Sequence, residues 1–393
     1  RDGLAIADEG EGARLDLVTR FLRLGLGQAE AGLDEVLEQL NASEKNTKLT
    51  DLKDDWKALL FPDADDDKFA DGYAQAVTFG LLMAKSKDMS LAGGLDHVAK
   101  ELGKANTLIG TALRLLTEQD LNLGPALDTL TRVLDEVSWA KVSKGDPEAW
   151  LYFYENFLEV YDNKLRKLTG SYYTPPEVVR TMVRLCDEAL KSPRFGIADG
   201  LAGKDVHIVD PATGSGTFLL GTIERIKATI EANHGGPGAV APMMEDVAGR
   251  LIGFELQFGA FAVAQLRLLA EMLEIGADAT PRLFVTDTLG DPYADIESGQ
   301  GIYREISKSR TEANKVKRSE PITVVIGNPP YKEKAKGKGA WIESGNKNKG
   351  APLNGWQPPK AWKIGTHAKH LRNLYIYFWR WAAWKVFEQG AGG

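Results

Sequence analysis

The chain has 393 residues, 26% charged and 43% hydrophobic, with a formal charge of −7. That length leaves room for two or three domains and a sizeable core, and no apolar run is long enough to span a membrane. The charge is uneven: residues 301–393 hold 18 Lys/Arg against 6 Asp/Glu, residues 1–140 hold 15 against 26, and residues 141–300 hold 15 against 23. A basic end on an acidic chain suits a polyanionic partner, although a solvated lysine-rich loop has the same composition. The single Cys186 excludes an internal disulfide framework and fits a reducing cytoplasm. The five histidines show no metal-ligand spacing with Cys or with one another, and no secretory signal opens the sequence.

In chain order, residues 1 to about 145 predict helices, because apolar residues recur every three or four positions. Leu15–Leu26, Leu33–Leu40, Leu52–Leu60, Leu95–Leu102, Leu108–Leu116 and Leu127–Val142 are such stretches. Phe69, Tyr73, Val77 and Leu81 make one face, after a cap such as Asp66 or Asp67. The acidic run from Pro62 to Lys68 resembles a nuclease metal site only superficially. Its acids crowd one turn before a helix, where they complement the dipole, instead of converging from separate strands. A Walker loop is excluded as well: Ala198 stands where the first glycine belongs, and Asp205 follows Lys204.

An aromatic helix is expected over Glu148–Leu165. Thr169–Glu177, containing Tyr173, Thr174 and Pro175, reads as a loop leading into a proline-initiated helix. Val206–Asp210 is the next strand, followed by Pro211-Ala212-Thr213-Gly214-Ser215-Gly216-Thr217-Phe218. A Gly-x-Gly turn between strand and helix lets a ligand approach the backbone closely, but Leu219 occupies the third glycine of the dinucleotide fingerprint. Leu251–Leu256 and Leu283–Asp287 read as further strands, each with an acid at its end, Glu255 and Asp287. The glycines and prolines of residues 230–248 predict a loop between the first two strands. Residues 289–321 predict a polar excursion, helical around Glu312–Lys317.

Val324-Val325-Ile326 then runs into Gly327-Asn328-Pro329-Pro330-Tyr331. A β-branched strand apolar on both faces belongs in a parallel sheet covered by helices, which puts Asn328 at the carboxyl edge. The two prolines carry no N–H, so the loop offers mainly acceptors. The Asn328 carboxamide oxygen and the Pro329 carbonyl suit the two hydrogens of one amino group, with Tyr331 stacked on the ring that bears it. The competing interpretation is a proline-stopped strand with a buried tyrosine. Lys332–Gly355 reads as mobile from its Gly, Lys and Asn content, and Leu374–Phe387 as an aromatic helix with most of its rings in the core.

Asn-Pro-Pro-Tyr after an apolar strand, the Tyr-Thr-Pro loop, Asp-Pro-Ala-x-Gly-x-Gly-x-Phe and the strand-terminal acids, in this order, resemble the γ class of DNA adenine-N6 methyltransferases. The resemblance covers residues 148–387, and the helical N-terminus is similar to the coupler of single-chain type IIG and type ISP restriction–modification enzymes. It implies an α/β, Rossmann-like sheet, incomplete at the C-terminus, in a catalytic domain spanning 148–393. An all-α coupler or spacer would occupy 1–147. S-adenosyl-L-methionine would be the cofactor, without metal. Tyr173, Thr174 and Pro175 would contact its methionine part, Asp210, Gly214 and Gly216 would hold the aminocarboxypropyl group, and Ala212 and Phe218 would belong to the same cofactor-binding motif. Glu255 would accept from the ribose, and Asp287 from the adenine amine. Asn328, Pro329, Pro330 and Tyr331 would be catalytic, acting on an adenine flipped out of double-stranded DNA.

The implied setting is cytoplasmic phage defence, with nuclease or helicase and target-recognition modules in the parent chain or complex. The family continues with further strands where this sequence stops at Gly390–Gly393, and the first residue is Arg1. Both features lead us to expect a segment of a longer polypeptide. Three alternatives remain open at this stage: protein-glutamine N5 methylation, cytosine-N4 methylation, and a cofactor-sensing scaffold coupled to a partner nuclease.

Overall fold

The computed structural model describes residues 174–296, 301–363 and 365–389, with scattered positions between 53 and 136. Phe69, Tyr73, Tyr173 and the aromatic stretch 148–165 lie outside the described residues. The chain divides into two compact units, Arg1–Arg166 and Lys167–Gly393. In the first, Val77 and Leu81 are buried, as their helical spacing predicts. Helix α1 (Gly124–Asp135) ends at an acid that accepts from the Leu91 N–H at 2.8 Å and from Lys85 Nζ at 3.3 Å.

The second unit contains a four-stranded parallel sheet in the order β3-β2-β1-β4. Its strands are β1 (Ile208–Asp210), β2 (Leu251–Glu255), β3 (Arg282–Val285) and β4 (Val324–Val325). Ile208 pairs with both Leu251 and Val324, so β1 lies between β2 and β4. Successive side chains point to opposite faces, and the two faces enter two different cores. Ile208 and Val324 join one core with helices α2 (Pro176–Lys191), α3 (Thr217–Asn233), α4 (Val240–Ala248) and α5 (Phe258–Ile275). Val209, Ile252 and Phe254 join the other with α6 (Gly301–Ser319), α7 (Ala340–Ser344) and α8 (Leu374–Ala383). The result is an α/β/α sandwich. In such sheets ligands bind beyond the carboxyl ends of the strands, where the order reverses, and here that point lies between β1 and β4.

Two expectations are corrected. Residues 230–248 are mostly helical: α3 runs to Asn233, and α4 begins soon after Pro237, burying Val240, Met244 and Val247 at helical spacing. The segment after Tyr331 is pinned to the start of α8 and not loose. The Leu374 N–H donates to the Lys332 carbonyl at 2.9 Å, and the Ala335 N–H to that of Arg372 at 2.7 Å. The aromatic helix, continued by one π turn at Trp384–Glu388, buries Tyr377, Trp381 and Trp384 but leaves Trp379 and Phe387 exposed. The buried rings meet edge to face: Trp341–Trp384 at 4.8 Å and Phe254–Trp381 at 5.9 Å between centroids. Such pairs add about 0.5–1.5 kcal/mol beyond burial, which makes this layer a firm back wall for β2.

Candidate functional site

Four strand ends bring Asp210, Glu255, Asp287 and Asn328 to one edge of the sheet. Asp210 closes β1 and is fully buried. Its Oδ1 accepts from the Ala212 N–H at 3.0 Å, whereas Oδ2 is buried without a hydrogen-bond partner. Burial pushes its pKa up to about 7, the nearby Glu255 charge adds to the rise, and the Ala212 N–H opposes it. A buried carboxyl with one orphan oxygen calls for a cationic or donating partner.

The turn after Asp210 takes its shape from two left-handed residues, Gly214 (φ 54°) and Gly216 (φ 85°). Around Gly214 a side chain would meet nothing within 4 Å, so the backbone there faces open space. Gly216 instead packs on α5, where an added Cβ would stand 3.3 Å from that of Ala264. Thr213 ties the turn to β2: its N–H donates to the Phe254 carbonyl at 3.0 Å, and its hydroxyl to the same oxygen at 3.1 Å. Arg267 donates to the Ser215 carbonyl at 2.7 Å from below. Phe218 is buried in the core beneath the turn, away from the open edge.

Glu255 ends β2, and its carboxylate accepts three backbone N–H groups. Gly214 donates to Oε2 at 2.8 Å, and Leu256 and Gln257 donate to Oε1 at 2.8 and 2.7 Å. Burial raises its pKa against those three donors. A carboxylate has about four acceptor sites, so one stays open. Accepting two hydroxyls of a ribose therefore requires release of one of these three N–H groups. Asp287 lies two residues beyond β3; its Oδ1 accepts from the Leu289 N–H at 2.9 Å, leaving Oδ2 for a ligand. Next to it, the Thr288 hydroxyl donates to the Pro211 carbonyl at 2.5 Å, joining the third strand end to the first.

Asn328 follows β4, and its Nδ2 donates to Thr174 Oγ1 at 2.9 Å, across 154 residues of sequence. The amide nitrogen is thereby engaged and the oxygen is left as an acceptor. The Tyr331 ring is 58% exposed, which excludes the interpretation as a buried core tyrosine; Tyr375 lies beside it at 6.0 Å. Pro329 and Pro330 are partly exposed in the same loop, and Thr174 and Pro175 stand just before α2.

Sequence reasoning missed two close neighbours of this edge. Gly327 lies against Asp210, where a Cβ would sit 2.5 Å from Oδ1. Lys317, buried in the last turn of α6, donates to the Asp287 carbonyl at 2.7 Å. A glycine ahead of the loop was the only signal for the first, and nothing in a lysine-rich helix marked the second. Among the described residues no His/Cys/Asp/Glu group is arranged to hold a metal, and no helix is long and apolar enough to cross a membrane.

The donor set fits S-adenosylmethionine in kind. It combines an orphan buried carboxyl for an ammonium, a glycine turn with open space beside Gly214 for close approach of a ligand, and two strand-end acids for a nucleoside.

The chain has relatives among known proteins. A Type I restriction enzyme MjaVII methylase subunit from Methanocaldococcus jannaschii is 28% identical over 165 residues, covering 39% of this chain and 24% of that protein. Two solved structures share the fold. A cryoEM structure of a DrdV–DNA complex matches 97% of this chain and 35% of its own, with 19% identity and a TM-score of 0.59. The ATP-dependent Type ISP restriction-modification enzyme LlaBIII bound to DNA matches 94% of this chain and 24% of its own, with 18% identity and a TM-score of 0.63. The chain thus spans roughly a quarter to a third of the length of these proteins. The N-6 DNA methylase family profile matches residues 152–353, more than half of the sequence, and the chain belongs to that family.

Proposed function

We propose that residues 148–393 carry the methyltransferase module of a larger restriction–modification enzyme, and that this module methylates the N6 amine of adenine in double-stranded DNA from S-adenosylmethionine. Residues 1–147 would be a helical coupler to nuclease, helicase or target-recognition parts. The observation that carries this reading is the Thr174–Asn328 hydrogen bond. It joins the loop before α2 to the Asn-Pro-Pro-Tyr loop and fixes the Asn328 amide with its oxygen as acceptor. The relatives, a restriction methylase subunit, a restriction-modification enzyme bound to DNA and a further protein–DNA complex, support the same setting.

In this reading Asp210 and the Gly214–Gly216 turn would hold the aminocarboxypropyl group, Glu255 the ribose and Asp287 the adenine amine of the cofactor. The bound cofactor supplies an electrophilic methyl carbon on a sulfonium, so the protein needs only to place a nitrogen in line with it. The Asn328 oxygen and the Pro329 carbonyl accept the two hydrogens of the target amine. That draws the nitrogen lone pair out of conjugation with the ring. Tyr331, already exposed, stacks on the flipped base. Neither acceptor is a base, and the proton lost by the amine passes to water.

The test is methyl transfer from labelled S-adenosylmethionine to duplex DNA, followed by digestion to nucleosides. Label in N6-methyladenine supports the proposal. Label in N4-methylcytosine, or only in a protein glutamine, refutes it.

A further inference from the structure

Lys317 is 1% exposed, among the largest fully buried side chains, and no motif of the family accounts for it. Its ammonium crosses from the last turn of α6 to the end of β3. There it donates to the Asp287 carbonyl at 2.7 Å and to Thr286 Oγ1 at 3.3 Å. It also lies 5.4 Å from the centroid of Phe254, the residue before Glu255. The lysine is itself held in place. Lys385, equally buried in the π turn, donates to the carbonyls of Val316 and Lys317 at 2.9 Å each, at the carbonyl end of α6. One buried cation therefore anchors the strand end that carries one nucleoside acid and touches the residue that precedes the other. Burying an ammonium is costly unless its donors are used, so two such lysines at one place mark a geometry worth fixing.

We infer that Lys317 is a positioning residue of the adenosine subsite. By clamping the Thr286–Asp287 backbone it aims the free Asp287 oxygen at the adenine amine, and so sets selection for a 6-amino purine. This rests on the proposed cofactor reading, in particular on the role of Asp287. Lys317 touches neither cofactor nor target and acts only through the strand end.

The experiment is calorimetry on the full chain with S-adenosylhomocysteine and S-inosylhomocysteine. The inosyl compound presents a carbonyl oxygen where adenine presents its amine. Wild-type protein should prefer the adenosyl compound by about 10-fold or more, the size of one hydrogen bond to a carboxylate. Lys317→Met keeps the volume and removes the donors; it should lower that ratio towards one while the protein still folds and still binds. A merely structural lysine would weaken both ligands alike, so an unchanged ratio overturns the inference. If Lys317→Met does not fold, Thr286→Val removes one of the two contacts, and the ratio must still fall. Wild-type protein that binds neither compound, or binds both equally, would sink the cofactor reading itself and is distinguishable from a failure of Lys317 alone.

Discussion

Gly327→Ala tests how tightly the target loop and the cofactor turn share one edge. The added methyl would lie 2.5 Å from Asp210 Oδ1, 3.1 Å from Asp210 Cγ and 3.3 Å from Pro211 Cδ. Gly327 is not one of the left-handed glycines, so the methyl acts by bulk and not through φ. The carboxyl has little room to retreat, because it is fully buried at a strand end and already holds the Ala212 N–H. Overpacking of this kind costs about 1–3 kcal/mol. Because the displaced group is the one assigned to the ammonium of the cofactor, affinity should fall by about tenfold or more as well. Urea unfolding measures the first effect and calorimetry with S-adenosylmethionine the second. Gly350→Ala, where a methyl meets nothing within 4 Å, is the control and should stay within about 0.5 kcal/mol. Unchanged stability and unchanged affinity in Gly327→Ala would refute the packing of Asp210 against the loop that follows β4.

Three further outcomes are expected. Asp210 ionises near pH 7 in the folded chain but at the ordinary carboxylate value when unfolded, so between about pH 4 and 7 the native state binds the extra proton. Its contribution to stability falls as pH rises through that window and is constant above it. Urea midpoints from pH 4 to 8 should show a component of this slope that vanishes in Asp210→Asn. Cofactor binding, which favours the ionised acid, should release a proton near pH 6.5, read from calorimetry in buffers of different ionisation enthalpy. For the target side, Tyr331→Phe should retain most of the methylation, because the exposed ring does the stacking, and Tyr331→Ala should lose about 1–3 kcal/mol. Equal damage in both would assign the role to the hydroxyl.

Strand-end acids and the proline-locked loop could be read from the sequence because each follows a short apolar run, and a run of that kind fixes both the strand and its carboxyl end. Asp210, Glu255 and Asn328 were legible for this reason. What composition concealed was the backbone pairing of Lys332 and Ala335 with the start of α8, which depends on partners about forty residues away. The helix α4 was hidden by the glycines and prolines before it, although its own Val240, Met244 and Val247 carry a helical period. Lys317 looks like its solvated neighbours in α6 until the Asp287 carbonyl is found above it. The three bonds on the Glu255 carboxylate belong to tertiary structure too, and they qualify a role that spacing alone left unlimited.

The most direct test of amine methylation pairs two measurements on Asn328→Ala. Asn328 bonds Thr174 and none of the acids assigned to the cofactor, so its loss removes the target acceptor and the tie to Thr174 while leaving those acids in place. Equilibrium binding of S-adenosylmethionine should remain within a few-fold of wild type, about 1 kcal/mol at most. Formation of N6-methyladenine in duplex DNA, by a wild-type preparation shown to form it, should be abolished. Methylation that survives in Asn328→Ala at the wild-type rate would contradict the account.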